Sequence, residues 1–369
     1  MISVFSKRED CCGCGACEQI CPQNAIAMSP DEEGFLYPNI NQFLCVDCGR
    51  CIEICPVTRE GNYKESGIPC FYVARHKSKE VLRQSTSGGA FTAISDVILG
   101  QNGVVYGVDY DEGFRILHRR AETSEQRDRM RISKYVQSDM GNTFAEIKAD
   151  LQEGYNVLFT GTPCQAAGLR AVMGNSPLTK KLYICDLICH SIPSPLIWEE
   201  YKWLLEKENG GKLASVQFRS KKAGWSRANS NKGLLFTTEK SPEIKEDDRF
   251  YQLFFKVGAI TRPSCSQCRF TDVHRVSDLT IADYWGIEKY CPEWFDPLGV
   301  SLILANSSKG AELLKQCQDL LVEERPKEES LYEQKRLSEP SQFPEDRSLF
   351  WDNYRRFGFE HVVGDNNKK

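Results

Sequence analysis

Nine of the seventeen cysteines in this chain fall between Cys11 and Cys55, and they fall in a repeated order. Residues 11–22 read CCGCGACEQICP and residues 45–56 read CVDCGRCIEICP, so each run has the form C-x2-C-x2-C-x3-C-P. Three thiolates two residues apart can wrap one face of a cubane iron–sulfur cluster, because the short loops between them turn back around it. The fourth cysteine, followed by Pro, lies too far along to close the same cluster easily. In the bacterial two-cluster pattern it ligates the other one. On that pattern Cys11, Cys14, Cys17 and Cys55 hold one [4Fe–4S] cluster, and Cys45, Cys48, Cys51 and Cys21 hold the second. Cys12 is surplus and is read as structural. Gly13, Gly15 and Gly49 suit tight turns whose N–H groups can reach the cluster sulfides. Structural zinc uses CxxC pairs with a longer insert between them, and a dense disulfide framework belongs to exported chains. Neither matches these runs, whose chemistry is single-electron transfer.

Four more cysteines stand in motif-like surroundings: Cys164 in GTPCQ, Cys189 in DLICH, and Cys265 and Cys268 in CSQC. Cys164 follows one predicted strand and Cys189 ends another, which puts both at one sheet edge. The carboxyl edge of a parallel sheet is where α/β folds bind ligands. A CxxC in a polar loop is seldom packing, yet isolated core cysteines are common. Spacing alone leaves a third metal site and separate core cysteines equally supported. The turn STSGGA (85–90) opens a helical pattern and could present N–H groups to a phosphate. An ordinary helix cap explains it as well. It is neither GxGxxG nor a P-loop.

The elements that would carry these residues form three units. Residues 1–60 make the ferredoxin-like α+β segment, and the polar run 59–67 is a linker. Residues 68–150 begin a small α/β unit with a helix in 85–100, paired strands over 103–110 and 114–121, and a helix over 142–153. In 123–132, Thr123 with Gln126 three residues on forms a capping box. Residues 151–326 start with a buried strand (155–160), a helix to Met173 and a second strand (182–190), an order that predicts a sheet with parallel pairing at its centre. A helix over 193–211 and strands near 214–219, 233–238, 278–282 and 300–306 complete this unit. The extension 327–369 is charged and carries one aromatic helix (SLFWDNYRRFGF) and a frayed end.

Taken in order, TSGGAFTA (86–93), KYVQSDMG (134–141), LFTGTPCQAAGLR (158–170), DLICHSIPSP (186–195), CSQCRF (265–270) and LTIADYWG (279–286) resemble the coenzyme F420 hydrogenase/dehydrogenase beta subunit family. The resemblance covers roughly residues 70–320, with the ferredoxin segment that many bacterial members carry in front. It implies α/β flavin-binding domains with a mixed, non-Rossmann sheet, and an FAD-dependent iron–sulfur oxidoreductase. It makes Cys164, Cys189, Cys265 and Cys268 ligands of a third [4Fe–4S] cluster. It places Ser87, Gly88, Gly89 and Thr92 on the FAD phosphates or ribose. Lys134, Tyr135, Gln137 and Ser138 then line the flavin, as do Thr160, Gly161, Thr162 and Gln165. His190 is the expected proton donor, with Asp283 and Lys134 behind it, while His76, His118, His274 and His361 look incidental. Two positions depart from the family: its usual CHG reads Cys189-His190-Ser191, and its usual GDFWG reads Ala282-Asp283-Tyr284-Trp285-Gly286.

The implied route runs from a ferredoxin or flavodoxin donor through the clusters to FAD, and by hydride to an organic acceptor. Archaeal members reduce a deazaflavin and plant relatives a chlorophyll pigment. Bacterial members with this front end are associated with surface-polysaccharide biosynthesis, so a sugar-linked acceptor is the expectation. The alternative is a non-catalytic electron-transfer subunit feeding a partner enzyme. Net charge is -4, which argues against non-specific nucleic-acid binding. No apolar run approaches the roughly 18–20 residues that span a bilayer, and the N-terminus has no h-region, so a cytoplasmic location is expected.

Overall fold

A computed structural model describes residues 3–58, 67, 69–228 and 233–365. Most of the linker read at 59–67 and the last residues of the frayed end lie outside the described residues. Thirteen strands are present: β1 (Ile26–Pro30), β2 (Leu36–Ile40), β3 (Cys70–His76), β4 (Val104–Tyr110), β5 (Ile116–Ala121), β6 (Val157–Gly161), β7 (Leu182–Leu187), β8 (Leu213–Gln217), β9 (Leu234–Thr238), β10 (Ser241–Asp247), β11 (Leu279–Asp283), β12 (Ser301–Ala305) and β13 (Leu320–Arg325). β1 and β2 form an antiparallel hairpin in the N-terminal segment, and β8, β9 and β10 form a three-stranded antiparallel sheet.

The other eight strands make one mixed sheet in the order β13-β3-β12-β11-β7-β6-β4-β5. Its centre, β11-β7-β6-β4, is parallel, and both flanks are antiparallel. Strands from both 68–150 and 151–326 enter this sheet, so the two segments share one core. Side chains alternate across it. Val105, Leu158, Cys185 and Ile303 face the helix Ala90–Gly100 and the helix Ser308–Lys315. Tyr106, Phe159 and Ile184 face the helices Thr143–Glu153 and Pro163–Met173. Covering both faces is what a parallel centre requires, since its strands are apolar on both sides.

Cys14 and Ala16 of the first cysteine run belong to the same apolar cluster as Phe144, Phe159 and Leu169. The ferredoxin segment therefore packs directly on the helix Pro163–Met173. Gly168 allows this approach, because a Cβ there would sit 3.0 Å from both the Cβ and Sγ of Cys14. Glycine inside a helix costs roughly 1 kcal/mol relative to alanine, and close packing is what offsets that cost here. Gly168→Leu is expected to push the segment off the helix, with roughly 1–3 kcal/mol of overpacking. Iron content and the unfolding midpoint check this; a variant with full iron and an unshifted midpoint would contradict it.

The structure departs from the sequence reading at three strands and one strand end. β3, β10 and β13 are additional. β13 is an edge strand whose residues Leu321–Glu324 are exposed, and the charges that protect an edge from pairing hide its alternation. β7 stops at Leu187 rather than reaching residue 190, so Cys189 and His190 stand in the loop beyond the sheet. No described helix is long and apolar enough to cross a membrane.

Candidate functional site

The two cysteine runs fold alike. In each, a left-handed glycine (Gly15, φ 80°; Gly49, φ 73°) precedes a one-turn helix that carries the third cysteine. The chain brings the cysteines together in crossed sets. Cys11, Cys14, Cys17 and Cys55 line one small cavity, and Cys21, Cys45, Cys48 and Cys51 line another. Burial and neighbouring thiols push Cys17 up to about 12. Four thiolates facing one another repel, and an iron–sulfur core supplies the balancing positive charge. Cys12 also lines the first cavity, and its thiol bonds directly to those of Cys14 and Cys164. Far from being mere filler, it stands at the junction of the ferredoxin segment with the larger domain.

Cys164, Cys189, Cys265 and Cys268 converge from three separate segments. Burial raises the pKa of Cys189, and its nearest thiols, Cys265, Cys164 and Cys268, raise it further. Cys265 is pushed up to about 12 by burial, then by Cys268 and Cys164, and Cys268 to about 11 by burial, then by Cys164. Cys164 lies in the first turn of the helix Pro163–Met173, and the Thr162 hydroxyl is 3.2 Å from its sulfur. Among the described residues no group of three or more His, Cys, Asp or Glu is spaced to hold a single metal ion. That is equally true of the eight ferredoxin cysteines.

A clamp that the sequence analysis missed holds the CSQC loop in place. The buried Arg275 guanidinium donates to Asp186 (3.0 Å), to the Leu187 carbonyl (3.1 Å) and to the Phe270 carbonyl (2.8 Å). Asp186 also accepts from the Thr280 hydroxyl at 2.5 Å. The end of β7 is thereby fixed to the loop that follows Cys268.

A cavity of about 1540 Å3 opens beside this cysteine set, at the carboxyl ends of β6, β7 and β11. Its wall includes Ser87, Gly89, Lys134, Tyr135, Gln137, Ser138, Thr160, Gly161, Thr162, Gln165, Cys189 and His190. Two residues of the expected set do not line it. Gly88 packs against strands instead: a Cβ there would lie 2.5 Å from the Ser301 nitrogen and 2.6 Å from the Ala74 carbonyl. Thr92 is buried behind the wall, where its hydroxyl accepts from Arg131, a wall residue. The helix Ala90–Gly100 starts at the cavity with Gly89 as an N-cap that offers no side-chain bond. Its first N–H groups are therefore available to an anion.

Several wall residues have evident work of their own. Thr162 and Gln165 cap the helix Pro163–Met173 reciprocally. Gln165 then donates to Ser138 (2.9 Å), and Ser138 bonds to His118 Nδ1 (3.1 Å). His118 stacks on Phe159 and bonds the Thr160 carbonyl through Nε2. Burial pushes its pKa down to about 4, so it is neutral at pH 7. It anchors the cavity floor and is not incidental. Lys134 donates to the carbonyls of Arg129, Arg131 and Ile132, bracing a turn with all three donors. Burial pulls its amine down to about 7, and the three carbonyls favour the ammonium.

His190 is exposed to the cavity but ringed by protein. Those surroundings and the Arg336 charge push it down to about 4. Cavity water offsets part of that, and the direction leaves a neutral imidazole at pH 7. A neutral ring can orient a substrate by hydrogen bonding but holds no spare proton, which weakens its reading as proton donor. The neighbouring Ser191 has φ 153°, a conformation that side chains rarely adopt. The departure from glycine at this position is thus a strained one. Asp283 is committed to Arg219 (2.6 Å) and to the Trp225 indole (2.6 Å).

Residues 10–58 match the family model for the 4Fe–4S dicluster domain, and residues 154–329 match the model for the C terminus of the coenzyme F420 hydrogenase/dehydrogenase beta subunit. No curated protein matches the chain. Among solved structures, a chain of the F420-reducing [NiFe] hydrogenase complex from Methanosarcina barkeri is 17% identical with a TM-score of 0.48, over 84% of this chain and 93% of that one. With iron–sulfur clusters supported at its N-terminus and the beta subunit sequence behind them, the chain belongs to the coenzyme F420 hydrogenase/dehydrogenase beta subunit family and carries a 4Fe–4S dicluster domain in front.

Proposed function

We propose that the chain is an iron–sulfur flavoprotein oxidoreductase that draws electrons from a ferredoxin-type donor and delivers them to an organic acceptor. The observation that carries this reading is the large cavity at the carboxyl edge of the parallel strands, with Cys189 in its wall. One side chain thus belongs both to the convergent cysteine set and to the cavity. The cavity is mostly apolar with a few polar side chains in its wall, as cofactor sites are. It also meets an uncapped helix start suited to a phosphate. Both properties fit an FAD, and Cys189 would bring that FAD beside a third [4Fe–4S] cluster held by Cys164, Cys189, Cys265 and Cys268.

When bound, a flavin supplies the exchange between one-electron carriers and two-electron organic reduction. Ser87, Gly89 and the first turn of the helix Ala90–Gly100 would hold its phosphates, with Lys221 bracing that turn through the Leu82 and Ser87 carbonyls. Tyr135, Gln137 and Thr160 would line its ring. The set Cys21, Cys45, Cys48 and Cys51 lies at the surface, where Cys48, Phe43 and Val46 are exposed. The set containing Cys11 and Cys14 faces inward to Cys12 and Cys164. Electrons from outside would therefore meet the outer set first. A sugar-linked acceptor in surface-polysaccharide biosynthesis rests on the resemblance alone.

A second reading, an electron-transfer subunit that feeds a partner enzyme, draws on the matched family's description as a beta subunit. Iron, acid-labile sulfide and flavin are to be counted after anaerobic purification. About twelve iron atoms with one FAD supports the proposal, about eight without flavin reduces the chain to a fused ferredoxin, and zinc in their place sinks it. Turnover of a small acceptor by the chain alone would exclude the subunit reading.

A further inference from the structure

Arg262 is completely buried where the ferredoxin segment meets the larger domain. Its Nε donates to the Cys11 carbonyl (2.9 Å), Nη1 to Gln137 Oε1 (2.9 Å) and Nη2 to the Leu36 carbonyl (2.9 Å). Nη2 also points at the Cys11 sulfur from 3.7 Å, and the guanidinium lies 4.3 Å from the Tyr37 ring centroid. Every direct acceptor is a neutral carbonyl or amide apart from that sulfur, so the charge falls chiefly on the Cys11 side. Gly13 makes room for it, because a Cβ at this left-handed position (φ 69°) would lie 2.8 Å from Nη1.

The second cysteine run differs at the matching place. Gly13 is the second residue after Cys11, and the second residue after Cys45 is Asp47, also left-handed (φ 51°). Its carboxylate lies 3.7 Å from the Cys45 sulfur and is exposed. Two runs of the same pattern thus carry opposite charges beside their first cysteine, a buried cation at the inner set and a wet anion at the outer one.

We propose that Arg262 is a positioning residue that makes the inner cluster the easier of the two to reduce, so that electrons entering at the outer cluster move toward the core. Reduction adds one negative charge to a cluster. A fixed guanidinium and an N–H bond to a ligand sulfur favour that state, more so in a dry site than in water. Asp47 disfavours it at the outer cluster, weakly because water screens an exposed carboxylate. The inference rests on the crossed ligation proposed for the dicluster domain, and iron content separates the two. A wild-type chain without the iron of two N-terminal clusters refutes the ligation, not the role of Arg262.

The test is a redox titration of the full chain followed by electron paramagnetic resonance. In Arg262→Gln with wild-type iron content, one cluster midpoint is expected to fall while the other N-terminal midpoint stays. Arg262→Lys, which keeps the charge without the fork, is expected to recover most of the shift. Asp47→Asn should raise the midpoint that Arg262→Gln leaves alone, by less. Unchanged midpoints in Arg262→Gln, a common shift of both clusters, or an Arg262→Lys shift equal to that of Gln overturns the proposal. If Arg262→Gln takes up no iron, Arg262→Lys decides by itself: a midpoint near wild type upholds the role of the charge, and a fully lowered one refutes it.

Discussion

A chain carrying Cys164→Ala is expected to lose about four iron atoms and to keep those of the two N-terminal runs. The four cysteines of the third set come from a helix start, a post-strand loop and a CxxC loop, and each raises the proton affinity of the others. Such a set is costly as free thiolates and favourable around a cationic core. One escape is built into the fold, because the Cys12 thiol already bonds to that of Cys164 and could take its place. The double variant Cys12→Ala/Cys164→Ala closes it. Cys12 lies outside the crossed ligand sets, so the double variant should still hold the N-terminal clusters. Iron and acid-labile sulfide in both variants provide the measurement. An iron count equal to wild type in the double variant would sink the third-cluster assignment.

What the sequence disclosed depended on how far apart the cooperating residues lie. The twin runs were readable because all their information sits within short repeats, where thiolate spacing alone specifies the chemistry. The parallel strands were readable because both faces of each are buried, which leaves unbroken apolar stretches at β6 and β7. The edge strand β13 was not, since its exposed charges erase the alternation. Gly88 and Thr92 were placed on a ligand because a hydroxyl- and glycine-rich turn looks alike whether it cradles a phosphate or packs against a strand. His118 appeared incidental because its partners Ser138 and Thr160 are 20 and 42 residues away. Arg262 meets Cys11 across 251 residues, and no local pattern marks a buried arginine as a partner of a cysteine. Binding residues that bracket a short motif are visible in sequence, whereas those that join two elements become visible only when the chain is folded.

The pair Asp186–Arg275 is the strongest instance of that second kind, and its loss should have the largest effect on stability. Both side chains are almost wholly buried, and they meet at 3.0 Å. Asp186→Ala leaves the Arg275 charge in the interior with only carbonyl partners, a change that costs about 3–5 kcal/mol. The unfolding midpoint should fall accordingly. Function should suffer separately, because Arg275 ties the loop after Cys268 to the end of β7, two residues before Cys189. These two effects can be pulled apart. In Asp186→Leu/Arg275→Met neither partner is left charged, and such replacements of buried pairs are often neutral for stability. The double variant should therefore regain most of the lost stability and still bind less iron at the third set, since nothing then holds the CSQC loop against β7. Denaturant unfolding together with iron content decides the matter. Full stability with full iron would mean that the clamp does not position the loop, and an Asp186→Ala chain as stable as wild type would mean that the pair is not the interior charge partner its geometry indicates.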